Sequence, residues 1–202
     1  MIVLKDVSFQ YEGCEEGVHG IDLTVCDGEC VVLTGPSGGG KTTLTRLLNG
    51  LAPSYYQGTK KGDLWINYTE IASLPAWKIG QEIGSVFQDP KSQFFSSELA
   101  GEVAFACENY GMAKQEIRKR TDEAIASMGL ETLRARPLDV LSSGEKQRVA
   151  VASVYALRPH TYVCDEPTAN LDSEGATRLA GILRKLKDEG CLLYTSDAAD
   201  EA

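Results

Sequence analysis

Glycine, lysine and threonine residues near the start of the chain have the spacing of a phosphate-binding loop. Residues 35–42 read GPSGGGKT and fit the pattern G-x-x-x-x-G-K-[ST]. In such a loop the glycines let backbone N–H groups converge on phosphates, Lys41 can reach the β- and γ-phosphates, and the Thr42 hydroxyl can ligate Mg²⁺. A glycine-rich turn with an incidental lysine is the alternative. The β-branched run before the loop and the helical apolar spacing after it favour a nucleoside triphosphate site.

Two adjacent carboxylates form a second candidate site. Asp165 and Glu166 follow the apolar run Tyr162–Cys164, so they lie where a buried strand ends, at the edge where α/β sheets place their chemistry. Asp165 could hold Mg²⁺ directly or through water, and Glu166, pointing in a different direction, could polarise an attacking water. An acidic pair after an apolar triplet is more often a simple strand exit. Its combination with the phosphate loop favours a catalytic role.

A third motif lies between these two sites and carries a family resemblance. Residues 141–148 read LSSGEKQR, and here the sequence resembles the ATP-binding-cassette (ABC) ATPases, over residues 1–190. In that family a signature of the LSGGQ type shortly precedes the Walker B aspartate, and here Gly144 lies 21 residues before Asp165. The resemblance implies ATP as substrate and Mg²⁺ as cofactor. A generic P-loop kinase or GTPase is disfavoured because those classes lack this segment.

The resemblance implies a role for each motif residue. The implied ATP-binding residues are Tyr11, Gly35, Pro36, Ser37, Gly38, Gly39, Gly40, Lys41, Thr42 and Thr43. The implied catalytic residues are Glu166, Lys41 and Gln88, and the implied metal-holding residues are Thr42, Gln88 and Asp165. The implied signature is Leu141, Ser142, Ser143, Gly144 and Glu145, and the implied D-loop is Ala169, Asn170, Leu171 and Asp172. Taken alone, Tyr11 is more simply a strand-end aromatic and Gln88 a solvated loop residue.

The signature has the chemistry of a second anion site. Ser142 supplies a hydroxyl, and backbone N–H groups near Gly144 open a helix toward a phosphate. In the family this site acts in trans on ATP held by another cassette. The resemblance therefore implies a homodimer, a heterodimer or a tandem second cassette in the same gene. Ser143 departs from the family pattern by replacing the first signature glycine, and it could crowd the γ-phosphate.

Length and composition agree with one globular domain. The 202 residues are 43% hydrophobic and 24% charged, which suits a chain that buries a core. The net charge of -9 disfavours nucleic acid as a partner, because backbone binding needs clustered Lys and Arg.

The six cysteines contain no C-x-x-C pair, so we expect reduced thiols that mostly fill core positions. Neither a long apolar run nor a signal peptide is present, which predicts a cytosolic chain.

The hydrophobic pattern predicts the elements that position these sites. Strands are expected at 2–9, 18–25, 30–34, 64–68, 83–87 and 162–164, and helices at 42–48, 149–157 and 173–187. Helix formers dominate residues 98–130. Together with the resemblance, this pattern predicts an α/β fold. It consists of a P-loop NTPase (RecA-like) core, an N-terminal antiparallel β-subdomain and an inserted α-helical subdomain at about 91–145.

The carboxyl-terminal residues carry a resemblance of a different kind. Residues 191–202 read CLLYTSDAADEA and resemble the translation of a sequencing adapter. We therefore expect a non-native tail after an ABC domain, 1–190, that is incomplete at its carboxyl end. The family's switch histidine should follow one more strand, and residues 192–195 fall where that strand belongs, with Ala198 or Ala199 near the histidine position. His19 and His160 lie elsewhere and are expected in loops. An ordinary strand followed by an acidic loop is the alternative.

Residues 87–111 contain four short motifs, which are FQDP at 87–90, QFF at 93–95, EVAF at 102–105 and ENYG at 108–111. In these motifs the sequence resembles energy-coupling-factor (ECF) cassettes, which energise uptake of vitamins and of cobalt or nickel ions. It implies an importer with transmembrane and substrate-capture subunits, whose cassette lies at the cytoplasmic face of the membrane. Phe94 and Phe95 could line a groove for a helix of the membrane partner or fill the subdomain core. The alternative class is a soluble ABC ATPase of translation or DNA repair.

Overall fold

Two four-stranded sheets organise the computed structural model, which describes residues 1–168, 171, 173–189 and the backbone of 191–197. The strands are β1 (Ile2–Tyr11), β2 (Gly17–Val25), β3 (Cys30–Gly35), β4 (Gly58–Ile66), β5 (Thr69–Glu70), β6 (Ile83–Val86), β7 (Thr161–Asp165) and β8 (Cys191–Asp197). The helices are α1 (Lys41–Leu48), α2 (Leu51–Ser54), α3 (Ala76–Glu82), α4 (Leu99–Asn109), α5 (Lys114–Ser127), α6 (Ser143–Leu157) and α7 (Ser173–Glu189). Short 3₁₀ turns occupy Ile71–Ser73, Pro90–Gln93 and Glu131–Leu133.

The first sheet is antiparallel and has the strand order β2-β1-β4-β5. Apolar and polar residues alternate along β1, and Ile2 and Phe9 are fully buried, so one face of this strand packs on the core. The predicted strand at 64–68 is wrong at both ends. The observed β4 is longer and ends at Ile66, because Asn67 and Tyr68 take positive φ angles of 47° and 66° and turn the chain into β5.

The second sheet is parallel and positions the predicted site. Its strand order is β3-β8-β7-β6. β3 ends at Gly35, β7 ends at Asp165, and β6 ends two residues before Gln88. Since carboxyl ends of parallel strands meet at one edge, these three positions share an edge of the sheet. The strand expected at 192–195 is confirmed in position: β8 pairs with both β3 and β7. The histidine position expected near Ala198 lies outside the described residues.

A helical layer lies beside the parallel sheet. α4, α5 and α6 share a core of buried residues that includes Leu99, Val103 and Ile125. α6 begins at Ser143, within the predicted subdomain of about 91–145, and continues to Leu157 on the parallel sheet. The amphipathic helix predicted at 173–187 is confirmed as α7. Among the described residues, the helices are all too short or too polar to cross a membrane.

The cysteines do not mostly fill core positions, so that prediction is wrong. Of the five cysteines whose side chains are described, Cys107 and Cys164 are buried, and Cys14, Cys26 and Cys30 are exposed. Cys14 lies between β1 and β2, and Cys26 lies just after β2, where the chain reverses at the surface. Burial raises the pKa of Cys107 and raises that of Cys164 to about 12. Both buried thiols are therefore neutral at physiological pH.

Candidate functional site

The phosphate loop lies between the end of β3 and the start of α1. Gly38 and Gly40 adopt positive φ angles of 79° and 85°, a conformation that L side chains rarely adopt. The Gly39 N–H donates to the Pro36 carbonyl at 3.0 Å, which closes a turn inside the loop. Gly40 also approaches β2 closely, since a Cβ at this position would lie 2.5 Å from Val18 Cγ1. The backbone, ending at a helix N-terminus, is therefore shaped for an anion.

The first two residues of α1 contact the loop and the acidic strand end. Lys41 Nζ donates to the carbonyl oxygens of Gly35 and Pro36 at 2.9 and 3.1 Å, which holds the ammonium over the loop. The Thr42 hydroxyl donates to Asp165 Oδ1 at 3.4 Å. Asp165 is itself buried. The structure thus brings the predicted lysine, hydroxyl and carboxylate together, although Thr42 and Asp165 are 123 positions apart in the chain.

Glu166 leaves the end of β7 in a different direction from Asp165. Its φ angle is 43°, in the left-handed region that is uncommon for residues other than glycine. Glu166 Oε2 accepts a hydrogen bond from Gln88 Nε2 at 2.6 Å. Because Gln88 follows β6, this contact joins the ends of two neighbouring parallel strands. Backbone strain of this kind is concentrated at functional sites.

One cleft of about 600 Å³ is lined by most of these groups, and Asp165 lines an adjoining pocket together with Thr42 and Gln88. Predicted residues on the wall of the cleft are Tyr11, Ser37, Gly38, Gly40, Lys41, Thr42, Thr43, Gln88 and Glu166. Sequence reasoning missed Glu15, Glu16, Gly17, His19 and Arg46, which also line it. His19 belongs to β2, so the expectation that it lies in a loop is wrong. β2 reaches the cleft through tertiary packing, whereas Arg46 had a sequence signal: it lies one helical turn after Thr42 and Thr43.

Tyr11 stands at the rim of the cleft, with its hydroxyl bound to α1. This hydroxyl donates to Thr43 Oγ1 at 3.2 Å and accepts a hydrogen bond from Arg46 at 2.9 Å. The ring packs edge-on against Phe9, with 4.9 Å between centroids. Tyr11 is the last residue of β1 and also a cleft residue. The geometry is compatible with Tyr11 as a strand-end aromatic and with Tyr11 as an ATP-binding residue. Stacking on adenine stays a prediction.

The signature segment forms the N-terminus of α6. Ser142 Oγ accepts the Glu145 N–H at 3.3 Å, and Glu145 Oε2 accepts the Ser142 N–H at 2.7 Å, a reciprocal capping box. The hydrogen bond from the Ser142 N–H lowers the pKa of Glu145. Ser143 is exposed in the first turn. In the described part of the chain the signature residues lie apart from the walls of the phosphate cleft.

The D-loop is described only at Leu171. Its N–H donates to the Thr168 carbonyl at 3.0 Å, and its side chain packs partly buried against the core cluster that contains Leu141. A Cβ on Gly144 would contact Leu171 at an ordinary distance of 3.5 Å, so Leu171 and the signature are neighbours. The other predicted D-loop residues, Ala169, Asn170 and Asp172, lie outside the described residues.

Oxygen donors at the cleft suit a hard divalent cation. The Thr42 hydroxyl and the Asp165 carboxylate lie side by side, and the Gln88 amide lines the same pocket as both. Mg²⁺ typically takes one or two protein oxygens and completes its shell with phosphate oxygens and water. Within the described residues, groups of three or more His, Cys, Asp or Glu that could hold a metal are absent. This set of hydroxyl, amide and carboxylate oxygens fits Mg²⁺ that also binds phosphate oxygens and water.

The two phenylalanines after Gln88 differ in burial, and contact of either one with a membrane partner stays a prediction. Phe94 is partly buried against the helical core cluster. Phe95 is 75% exposed and stacks on Phe105, with ring centroids 4.9 Å apart. The buried Glu102 carboxylate accepts the N–H groups of Phe95 and Ser96, each at 2.8 Å, and so fixes this loop. Phe95 and Phe105 line an apolar groove of about 380 Å³.

Fold and site together define a nucleotide-binding cassette. A phosphate loop and an acidic strand end share one edge of a parallel sheet, flanked by an antiparallel sheet and a helical layer. The sequence model of the ABC transporter family matches residues 18–169. The chain belongs to the ABC transporter family.

Two proteins of Treponema denticola are similar to most of the chain. One, described as an ABC transporter ATP-binding protein, is 42% identical over 194 residues, which cover 96% of this chain and 40% of that protein. The other carries the same description and is 38% identical over 94% of this chain and 39% of its own length. The chain therefore spans about two fifths of the length of these curated relatives.

Solved structures of cassettes share the fold. The structure of cbiO1 from Clostridium perfringens, part of the ABC transporter complex cbiONQ, superposes with a TM-score of 0.86 and 30% identity, over 98% of this chain and 79% of that chain. A dimeric ATP-binding cassette in a post-hydrolysis state, bound to ADP and Pi, has a TM-score of 0.83 and 27% identity over 97% of this chain and 88% of that chain. Both similarities extend over the two sheets and the helical layer.

Proposed function

We propose that the protein is the ATP-binding and ATP-hydrolysing subunit of an ABC transporter. The observation that carries the proposal is the junction of the phosphate loop with the acidic strand end. Thr42 contacts Asp165, and Lys41 and Glu166 face one cleft. Membership of the ABC transporter family supports it, as does the likeness to a cassette bound to ADP and Pi.

Each cleft residue has a role in the proposed reaction. Residues 35–43 cradle the triphosphate, and Lys41 places its charge on the β- and γ-phosphates. Thr42, Gln88 and Asp165 would hold Mg²⁺, which would neutralise charge on the phosphate oxygens. Glu166 accepts a proton from the attacking water and orients it toward the γ-phosphate. The 2.6 Å hydrogen bond from Gln88 fixes the direction of the Glu166 carboxylate.

Two cassettes act together in this proposal. The N-terminus of α6 can bind an anion, and the Ser142 hydroxyl that accepts a hydrogen bond from Glu145 can also donate one. In the described residues this end of α6 lies apart from the chain's own phosphate cleft, so it would serve ATP bound to a second cassette. That cassette is another copy, a related subunit or a tandem domain. The dimeric form of similar cassettes supports the arrangement.

The transporter is an importer of the ECF type, for vitamins or transition-metal ions. The likeness to cbiO1, part of a cbiONQ complex, supports this class. The exposed Phe95 and the apolar groove beside it offer a surface for an amphipathic helix of a transmembrane subunit. A substrate-capture subunit would complete the assembly, with this cassette peripheral at the cytoplasmic face of the membrane. The net charge of -9 agrees with a partner other than nucleic acid.

Lys41→Ala tests the nucleotide assignment. The variant should bind ATP at least about tenfold more weakly than the wild type, because hydrogen bonds to charged groups are worth about 1.5–3 kcal/mol. Binding of ATP in the presence of Mg²⁺ is measured by titration calorimetry. Lys119→Ala, which removes an exposed lysine of α5, is the matched control and should bind as the wild type does. Unchanged ATP affinity in Lys41→Ala would remove the loop from the binding site.

A further inference from the structure

Four side chains link α1 to the antiparallel sheet at the rim of the cleft. The Tyr11 hydroxyl donates to Thr43 Oγ1 at 3.2 Å and accepts from Arg46 at 2.9 Å. The Arg46 guanidinium also lies over the Tyr56 ring, 4.0 Å from its centroid. Tyr11 and Tyr56 are in edge contact at 6.4 Å. The four residues therefore form one connected cluster.

Arg46 suits this place because of its shape as well as its charge. A guanidinium is planar, so it can stack on one aromatic ring while an N–H in its plane donates to a second group. Here the guanidinium carbon lies over the Tyr56 ring and the donated hydrogen bond goes to Tyr11. A lysine ammonium could keep the charge but could not combine a flat stacking contact with an in-plane donor.

Tyr11 is held on several sides by this cluster and by Phe9. Its hydroxyl is fixed to α1 by Thr43 and Arg46, and its ring is fixed by Phe9 and Tyr56. Tyr11 also lines both the phosphate cleft and a second cavity of about 660 Å³, formed by residues 10–15 and 57–59. A nucleotide with its phosphates on the loop would extend its base past Tyr11 toward this second cavity.

We propose that Arg46 is a positioning residue for the nucleobase. Its guanidinium sets the orientation of the Tyr11 ring, which is the contact surface for the base, and it does so through the hydroxyl of Tyr11 and the ring of Tyr56. The inference rests on the proposed function, since it requires that the cleft binds a nucleoside triphosphate. Arg46 therefore has a different role from Lys41. Arg46 acts on the base through Tyr11, whereas the charge of Lys41 acts on the phosphates.

The test compares ATP with inorganic tripolyphosphate, which has the phosphates but no base. Dissociation constants of both are measured with Mg²⁺ for the wild type and for Arg46→Lys, which keeps the positive charge. We expect ATP binding to weaken about fivefold or more, as lost base–aromatic stacking implies, while tripolyphosphate binding stays within about twofold. Arg118→Lys, on an arginine of α5 whose side chain is 84% exposed, should change neither constant.

A second variant locates the effect at Tyr11. Tyr11→Phe removes the hydroxyl that Arg46 contacts and keeps the ring, so its effect on the ATP-to-tripolyphosphate ratio should not add to that of Arg46→Lys. Additive effects would overturn the proposal. If Arg46→Lys weakened the binding of ATP and of tripolyphosphate equally, Arg46 would act on the phosphates. If the ratio of the two dissociation constants did not change, Arg46 would have no role at the base. A wild type that binds neither ligand would overturn the proposed function itself.

Discussion

Gly40→Ala tests two reasons why the phosphate loop needs glycine at this position, namely the positive φ angle and the close approach of Val18. Alanine at the φ angle of 85° costs about 1–2 kcal/mol, because the left-handed conformation crowds an L side chain. The added Cβ would also lie 2.5 Å from Val18 Cγ1, and relieving such an overlap costs a further 1–3 kcal/mol, roughly. We therefore expect the free energy of unfolding to fall by about 2–5 kcal/mol.

Gly38→Ala is the matched control for the backbone contribution. Gly38 has a φ angle of 79°, and a Cβ there would have no neighbour within 4 Å, so its replacement should lower the free energy of unfolding by only about 1–2 kcal/mol. Stability is measured by urea denaturation, with the m-value as a check on the unfolding mechanism. In a double-mutant cycle, Gly40→Ala should cost about 1–3 kcal/mol less in the Val18→Ala background than in the wild type.

Two results would refute this reasoning about the loop. Equal losses of stability in Gly38→Ala and Gly40→Ala would show that the close approach of Val18 adds nothing. The same conclusion would follow if Gly40→Ala had the same effect in the Val18→Ala and wild-type backgrounds. In either case, glycine at position 40 would be needed only for its positive φ angle.

The remaining predictions concern the α6 cap and the thiols. Ser142→Ala should lower the free energy of unfolding by about 1 kcal/mol through loss of the N-cap, whereas Ser142→Thr should retain most of it. Because the pKa of Glu145 is lowered from 4.5, its stabilising contribution is complete above that value and is lost as pH falls through the lowered pKa. Acid denaturation of Glu145→Gln should lack this component, and a wild-type pH profile would contradict it. A thiol reagent at neutral pH should label the exposed Cys14 in the native protein and Cys164, whose pKa is raised to about 12, only after unfolding; native labelling of Cys164 would contradict its burial.

The chemistry of the site could be predicted because each motif is contained in a short stretch of chain. The loop glycines and Lys41 fall within residues 35–41, and Ser142 and Glu145 are three residues apart, the spacing of a capping box. The order of strands then brings Asp165 and Gln88 to one edge of the parallel sheet. The structure adds the distances between these groups, which the sequence cannot give.

Contacts between distant parts of the chain could not be predicted in the same way. Arg46 and Tyr11 are 35 positions apart, and nothing in the local pattern of either residue indicates their hydrogen bond. The approach of Val18 to Gly40 depends on how β2 packs against the loop. Glu102 illustrates a different failure: a carboxylate at a helix start is normally solvated, yet here it is buried because two backbone N–H groups bind it.

The ends of elements were also poorly determined by the sequence. Apolar and aromatic residues suggested a strand through Tyr68, but positive φ angles at Asn67 and Tyr68 end it at Ile66. The apolar pattern of α6 covers only 149–157, so the expectation that a helix opens near Gly144 came from the signature motif. The helix begins at Ser143, where the capping box satisfies its first N–H groups.

Steady-state ATP hydrolysis by Glu166→Gln, measured beside its ATP affinity, tests the proposed mechanism most directly. The amide keeps the size of the side chain but cannot accept the proton of the attacking water, so turnover should fall by about 10²–10⁴-fold while ATP affinity stays within about twofold of the wild type. Glu131→Gln makes the same chemical change at an exposed carboxylate and should hydrolyse ATP as the wild type does. Wild-type turnover in Glu166→Gln would contradict the assignment of Glu166 as the residue that activates water.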